Sequence, residues 1–330
     1  MQQRLRCGSK RRIKGMNNQK NLRERYMSGT YQNGIPLEGR ETFMEAVSPK
    51  GSSFEDLNFN KNVIGSDETG KGEVFRPLIV VAAYVKKEHV EALLKEDIRD
   101  SKSYKAHDKK SKGDERVKYE TAKKKICDIG KKLTGFTSYS DFEEQRKNGI
   151  VMEKAFVTFA ANVVPNGVYN DNWKTKKTKK GDFNENELMR EYHAAAINAL
   201  AEKVNYDFVV VDNFEKSHPE HIQDKIGLPK DRIIIAEKAD KFAIAVACAS
   251  VIAKYLGYLY IERLAADYEL DEFEDFGKTG DFTVPMCERL WKKLENPRLF
   301  FRNYIKKFDN VIERLNAMEE GLGKLYDEAE

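Results

Sequence analysis

Residues 62–85 read Asn-Val-Ile-Gly-Ser-Asp-Glu-Thr-Gly-Lys-Gly-Glu-Val-Phe-Arg-Pro-Leu-Ile-Val-Val-Ala-Ala-Tyr-Val. An apolar run, Asn62-Val63-Ile64, leads into two adjacent carboxylates, Asp67 and Glu68. A glycine-spaced turn, Gly70-Lys71-Gly72, follows, and a second apolar run from Leu78 to Val85 returns at once. Two β-rich runs joined by a short Gly turn predict a hairpin. The carboxylates then lie at the end of the first strand, beside backbone that glycine allows to approach a ligand closely. Successive strand residues point to opposite faces, so both acids reach one site only where the strand ends and twists. Acids so placed suit a hard divalent cation such as Mg²⁺; the competing reading is a pair of solvated turn residues.

The same stretch fits the start of a phosphate loop, Gly65-x-x-x-x-Gly70-Lys71. That motif needs Ser or Thr next, to hold Mg²⁺, and a helix whose N-terminus binds phosphate. Gly72 stands at the first position, and Pro77 with a β-rich run replaces the helix. The phosphate-loop reading fails on both counts.

Outward from this hairpin, the 330 residues suffice for one or two domains. No uninterrupted run of 18 apolar residues occurs, so no membrane span is expected, and the basic N-terminus lacks the apolar stretch of a secretory signal. Cys7, Cys127, Cys248 and Cys287 are scattered, without C-x-x-C spacing. Reduced thiols and a cytoplasmic location are expected, with Cys248 a core residue. The net charge is +4, yet residues 1–26 hold nine Lys and Arg against Glu24, a net of +8. So basic and apolar-poor a segment reads as a disordered arm. It is either a binder of nucleic acid phosphates or a solubilising tail.

Residues 1–60 show no sustained periodicity and read as mostly irregular, with the folded domain beginning near Lys61. Helices are expected over Lys87–Glu96, Lys109–Lys132, Met152–Asn162 and Asn186–Val204. In the last, Leu188, Tyr192, Ala196, Ala199 and Leu200 recur at helical spacing. Leu133–Ser140 alternates and reads as a strand; Asp171–Asp182, with Trp173 and five lysines, reads as a polar loop. Asp207–Asp212 and Arg232–Glu237 are short apolar runs typical of buried strands. Ala239–Leu264 is a long Ala-rich helix suited to close packing on a sheet, and Val284–Leu325 is helical and amphipathic. Strands alternating with helices make the class α/β.

Two further acids stand where the first pair would want them. Asp212 ends a buried strand, and Asp240 opens the Ala-rich helix. Ligands of open α/β sheets bind outside the carboxyl ends of the strands. Taken singly, Asp212 also reads as a turn starter and Asp240 as a helix N-cap. Jointly, the four acids read best as a metal site.

At these residues the chain resembles the type 2 ribonucleases H, the family of ribonucleases HII and HIII. Asp67-Glu68-Thr-Gly70-Lys71-Gly72 resembles the family's D-E-x-G-x-G turn, and Asp100-Ser101-Lys102 its D-S-K segment. Asp212-Asn-Phe214 resembles the strand ending in D-x-F. Lys238-Ala-Asp240, followed by Ala245 to Lys254, resembles its K-A-(D/E) and Ala-rich helix. The resemblance runs from about Lys61 to Lys306. The G-S-D-E-T-G-K-G form, Val168-Tyr-Asn170 and His193-Ala-Ala-Ala-Ile197 resemble the HIII branch. Where the HII branch carries a Gly-Tyr-Gly-Thr segment, whose tyrosine reads the RNA–DNA junction, this chain has Phe276-Gly-Lys-Thr-Gly280.

Three departures stand out. Residues 1–60 are too short and polar for the N-terminal domain, similar to TATA-binding protein, that HIII enzymes usually carry. Asp240 replaces the Glu usual in HIII, as in HII. Arg76 replaces the usual Gly before the proline, and would be strained if its φ were positive.

The resemblance implies an RNase H-like mixed sheet flanked by helices (61–265), a basic arm (1–60) and a helical C-terminal extension packed on the sheet domain (266–330). It implies a monomeric endoribonuclease acting on RNA–DNA hybrids, with no membrane partner. Two Mg²⁺ or Mn²⁺ ions would be held by Asp67, Glu68, Asp212 and Asp240 as the catalytic acids. Gly70, Lys71, Gly72, Ser101 and Lys102 would bind substrate, and the products would carry 5′-phosphate and 3′-hydroxyl ends. Alternatives are HII-like removal of single ribonucleotides and a non-catalytic hybrid-binding protein. His193 reads as a packing or hydrogen-bonding residue.

Overall fold

A computed structural model describes residues 54–99, 101–105, 115–178, 185–215, 220–272, 276 and 284–306. The central element is the expected hairpin. Strand β1 (Val63–Thr69) pairs antiparallel with β2 (Leu78–Val85) in unbroken register from Val63↔Val85 to Thr69↔Ile79. Strands β3 (Val151–Glu153) and β4 (Thr158–Val164) continue the antiparallel side. β5 (Phe208–Asp212) and β6 (Ile233–Ala236) add the parallel side, giving the order β3-β4-β2-β1-β5-β6.

The helices are α1 (Phe54–Asn60), α2 (Val90–Lys95), α3 (Glu115–Thr134), α4 (Tyr139–Arg146), α5 (Asn166–Thr178), α6 (Glu185–Ala201), α7 (Glu220–Ile226), α8 (Ile244–Asp267), α9 (Val284–Lys293) and α10 (Pro297–Tyr304). Helix α8 covers one face of the sheet with α3 outside it; α6 covers the other with α7 beside it. The pleat sorts the strand residues accordingly. Val63, Val81, Ala83, Ala161 and Val210 join the α8-side core, and Ile64, Ala82, Ala160, Val209 and Val211 the α6-side core.

Helix α8 is long and apolar enough to cross a membrane by composition alone, but 89% of its apolar stretch is buried inside the protein. A helix apolar all round is what a core position requires. It lies against β1 so closely that a Cβ at Gly65 would meet the backbone of Ala245 and Val246 at 2.2 Å.

Several elements differ from the sequence expectation. Met152–Asn162 is the β3–β4 hairpin, not a helix: its Ala and Met favour helix, but β2 offers a full ladder from Tyr84↔Thr158 to Leu78↔Val164, and tertiary pairing overrides propensity. Leu133–Ser140 is no strand. Helix α3 runs through Thr134, and Ser138 opens α4 with a capping box to Asp141. The alternation there comes from Leu133, Phe136 and Tyr139 turning into the core. The segment read as a loop from Asp171 is helical through Thr178, continuing α5 from its buried Tyr169.

The folded body begins before Lys61. Helix α1 lies in the stretch read as irregular, yet Leu57 and Asn58 are buried. Asn58 accepts from Ile244 N (2.9 Å) and donates to Phe242 O (2.6 Å), capping α8 from a distant element. Arg76 is unstrained: among the described residues the non-glycines with positive φ are Asp97, Lys238 and Glu269. The basic arm (1–26), Asp100, residues 277–280 and the chain beyond Lys306 lie outside the described residues.

Candidate metal and substrate site

β1 carries its two acids inside the strand rather than at a frayed end, because the ladder runs on through Thr69. The pleat therefore separates them. Asp67 falls on the α8 face, where it hydrogen-bonds Ser250. Glu68 falls on the α6 face, with its Oε2 3.3 Å from His193 Nε2. Asp67 Oδ1 also accepts from Glu68 N at 2.8 Å.

β5 runs parallel to β1 with Ser66↔Val211 in register; one step further sets Asp67 beside Asp212. Burial, then the negative charges of Asp212 and Glu68, push the Asp67 carboxyl well above the usual range, against the Ser250 hydrogen bond and the charge of Lys102. Glu68 moves the other way. Burial pushes it up, but the His193 hydrogen bond and charge, with Lys71 and Lys102, outweigh this and hold it low.

Asp240 is not a helix cap. α8 starts at Ile244 with Ala243 at the N-cap position, whereas Asp240 lies buried in a separate 3₁₀ turn, Ala239–Lys241. Asp212 Oδ1 accepts from Ala239 N at 2.8 Å, tying that turn to the end of β5. Lys238, just before it, sits in the left-handed region (φ +58°, ψ +36°). For a side chain this costs roughly 1–2 kcal/mol, and such strain clusters at functional sites.

The predicted substrate residues ring these acids. Gly70 has φ +88°, and a Cβ there would meet Pro77 O at 2.0 Å, so the position demands glycine. Gly72 and Lys71 are exposed on the turn. Lys71 Nζ reaches Asn186 Oδ1 (3.1 Å) and Phe214 O (3.2 Å), bridging the hairpin to α6 and the end of β5. Ser101 is buried with its Oγ 3.0 Å from Ser250 Oγ; with Ser101 donating to Ser250 and Ser250 to Asp67, one hydroxyl on α8 links Ser101 to Asp67. Lys102 is exposed on the same turn, Ser101–Lys105.

Two partners of the acids went unread as site residues. His193 is fully buried, stacks on Phe214 (4.9 Å, 24°) and meets Ser66 Oγ through Nδ1 at 2.8 Å. Its signal was present: the buried stripe of α6 contains the expected Leu188, Ala196 and Leu200 and also takes in Met189, His193, Ala194 and Ile197, with Tyr192 and Ala199 half-buried at its edge. Ser250 is a lone hydroxyl in an Ala-rich run.

Among the described residues, no three His, Cys, Asp or Glu side chains stand close enough to cage a metal ion in this conformation. The donor set is nonetheless that of a hard divalent cation: carboxylate oxygens, with Asp67 set among the negative charges of Asp212 and Glu68.

Comparisons with known proteins bear on the family and the fold. The family model described as Ribonuclease HII matches residues 64–300. Similar curated proteins include a ribonuclease HIII of Exiguobacterium sibiricum, 25% identical over 225 residues (67% of this chain, 59% of that protein). A ribonuclease HIII of Staphylococcus aureus is 26% identical over 209 residues (62% and 53%). The chain thus spans little more than half the length of these relatives. Among solved structures, Bst-RNase HIII in complex with Mn²⁺ superposes with a TM-score of 0.54 at 19% identity, covering 81% of this chain and 73% of that one. The ribonuclease H2 from Pyrococcus horikoshii OT3 has a TM-score of 0.50 at 19% identity, covering 77% and 96%.

Proposed function

The chain belongs to the ribonuclease HII family, and from that premise we propose that it is a divalent-metal-dependent endonuclease cutting the RNA strand of RNA–DNA hybrids. One observation carries the reading most: Asp67, buried within β1, and Asp212, the last residue of the adjacent parallel β5, act on one another, and burial with the charges of Asp212 and Glu68 raises Asp67.

In this reading Asp67, Glu68, Asp212 and Asp240 hold Mg²⁺ or Mn²⁺. Bound divalent ions would supply an activated water and stabilise the departing 3′ oxygen. The protein's own groups do the rest. His193 keeps Glu68 ionised and aimed, and Ser250 orients Asp67. Lys71 and Lys102 offer charge to flanking phosphates, and the Gly70–Gly72 backbone approaches the strand. Contacts to 2′-hydroxyls select RNA. Products carry 5′-phosphate and 3′-hydroxyl ends.

Runs of ribonucleotides are the proposed substrate. Phe276, partly buried, packs edge-on against Phe75 of the hydrophobic core (5.2 Å, 83°), so its ring is engaged in packing rather than offered to a junction base.

The test is cleavage of labelled DNA, RNA, hybrid and single-ribonucleotide duplexes with Mg²⁺ or Mn²⁺. Hybrid is expected to be cut fastest, with Asp67→Asn and Asp212→Asn inactive. An uncut hybrid with both metals overturns the reading; equal or faster cutting at a single ribonucleotide moves the chain to HII-like specificity.

A further inference from the structure

We propose that Lys306 is a positioning residue for the Gly70-Lys71-Gly72 turn: a side chain near the C-terminal end of the described chain sets the geometry of the loop that follows the two β1 acids. The inference rests on the reading that this turn faces the hybrid. Lys306 is fully buried. Its ammonium donates to Gly70 O, and its backbone N donates to Val74 O at 2.9 Å. These two bonds, from one residue, bracket the turn at its first residue and just past its end.

An ammonium is expensive to bury and is kept where its partners need it; an apolar side chain would fill the same space without that cost. Here the charge lies 5.2 Å over the Tyr169 ring, faced by Glu73 and Glu185, with Arg76 opposing. The segment carrying it is itself seated by α5. Asn170 Nδ2 donates to Ile305 O (2.7 Å), and Asn166 Nδ2 donates to both Tyr304 O (2.7 Å) and Phe75 O (2.8 Å). Asn166 thereby joins the C-terminal segment to the outgoing limb of the turn. The Gly70 carbonyl that Lys306 holds also accepts from Glu73 N at 3.2 Å, the bond that closes the turn. The clamp reaches across 236 residues of sequence, and it meets the turn only two residues after Glu68.

The test uses the full chain carrying Lys306→Met, which keeps the stem and removes the ammonium. Asn170→Ala serves as a milder variant that loosens the seat without altering the buried lysine. Three quantities are read: amide hydrogen exchange at residues 70–74 against β1 and β2, Mn²⁺ affinity, and hybrid affinity in an Asp67→Asn background that does not cleave. Lys306→Met is expected to speed exchange in the turn while β1 and β2 stay protected. It should weaken hybrid binding about tenfold, the size of one lost charge-assisted hydrogen bond, and leave Mn²⁺ affinity unchanged. Asn170→Ala should do the same to a smaller extent. Unchanged exchange in the turn, or exchange rising equally through β1 and β2, overturns the proposal, as does unchanged hybrid affinity in a folded variant. Should Lys306→Met fail to fold, Asn170→Ala decides by the same criteria. If the unmodified chain binds no hybrid, the functional reading fails, while exchange in the turn still reads the clamp.

Discussion

Asp67, buried, and Glu73, half-buried, are carboxylates six residues apart on one hairpin, and their surroundings drive them in opposite directions. Around Asp67, burial is reinforced by Asp212 and Glu68, and its carboxyl rises. Around Glu73, burial is overcome by Arg76, Lys254 and Lys306, and its carboxyl falls to about 2. Glu73 ion-pairs Arg76 and meets Lys254 Nζ at 3.0 Å. The Arg76 guanidinium in turn lies 5.1 Å from the Tyr258 ring centroid. The fold sets Glu73 among three cations and Asp67 among other acids, with Lys102 as the weaker opposing charge. A buried carboxyl pushed up among other acids is the pattern of a functional site.

Asp67→Asn breaks the contrast hardest. Cleavage should fall by at least ~10³-fold, beyond the loss of a single electrostatic donor, while the metal-free protein becomes more heat-stable at pH 7. The sign follows from the raised carboxyl: a folded state that prefers the protonated acid is penalised once pH rises above the unfolded value, and Asn removes that penalty. Calorimetry with and without Mg²⁺ checks it. A metal-free melting temperature that drops in the mutant would place Asp67 with the structural acids.

Asp240→Asn separates ligation from turn formation. The 3₁₀ turn should survive, because Asn suits turns, whereas turnover should fall ~10²-fold as a donor charge is lost. Circular dichroism melting and initial rates decide, and normal turnover would return Asp240 to a structural role.

His193→Ala sharpens the contrast between the two β1 acids. Removing a partner that orients a metal-binding carboxylate typically costs 10–100-fold. The loss should appear in Mn²⁺ affinity as well as in rate. Rate and metal affinity both unchanged would make His193 a packing residue only.

Glu73→Gln should affect turnover least and acid stability most. Its lowered carboxyl contributes stability that is present above about pH 4.5 and lost as pH falls toward 2. Denaturant titrations should show the mutant weaker by about 2–3 kcal/mol at pH 7. The two proteins should converge between pH 4.5 and 2; a gap that persists at pH 2 would deny the ion cluster its role.

Much of this was legible along the chain. Continuous apolar runs bounded by turn residues marked β1, β2, β5 and β6, and helical spacing placed Leu188, Ala196 and Leu200 of α6 in the core while leaving His193 out of it. The hairpin β3–β4 was illegible because Phe159-Ala-Ala-Asn162 is a strand only by virtue of lying between β2 and β3. The start of the folded body was hidden for a similar reason: α1 is short and polar, and earns its place by offering Asn58 to the open end of α8.

The sequence by itself determined which acids exist, which of them end apolar strands, and that a glycine turn follows the first pair, since these depend on neighbours within a few residues. Only the tertiary structure decided what each acid does. The pleat put Asp67 and Glu68 on opposite faces; α6 and α8 then delivered His193 to one and Ser250 to the other. Lys254, 181 residues from Glu73, and Lys306, 236 residues from Gly70, reach the hairpin through the packing of α8 and the C-terminal segment. A carboxylate's protonation and role follow the charges within a few ångströms of it, and those are set by folding.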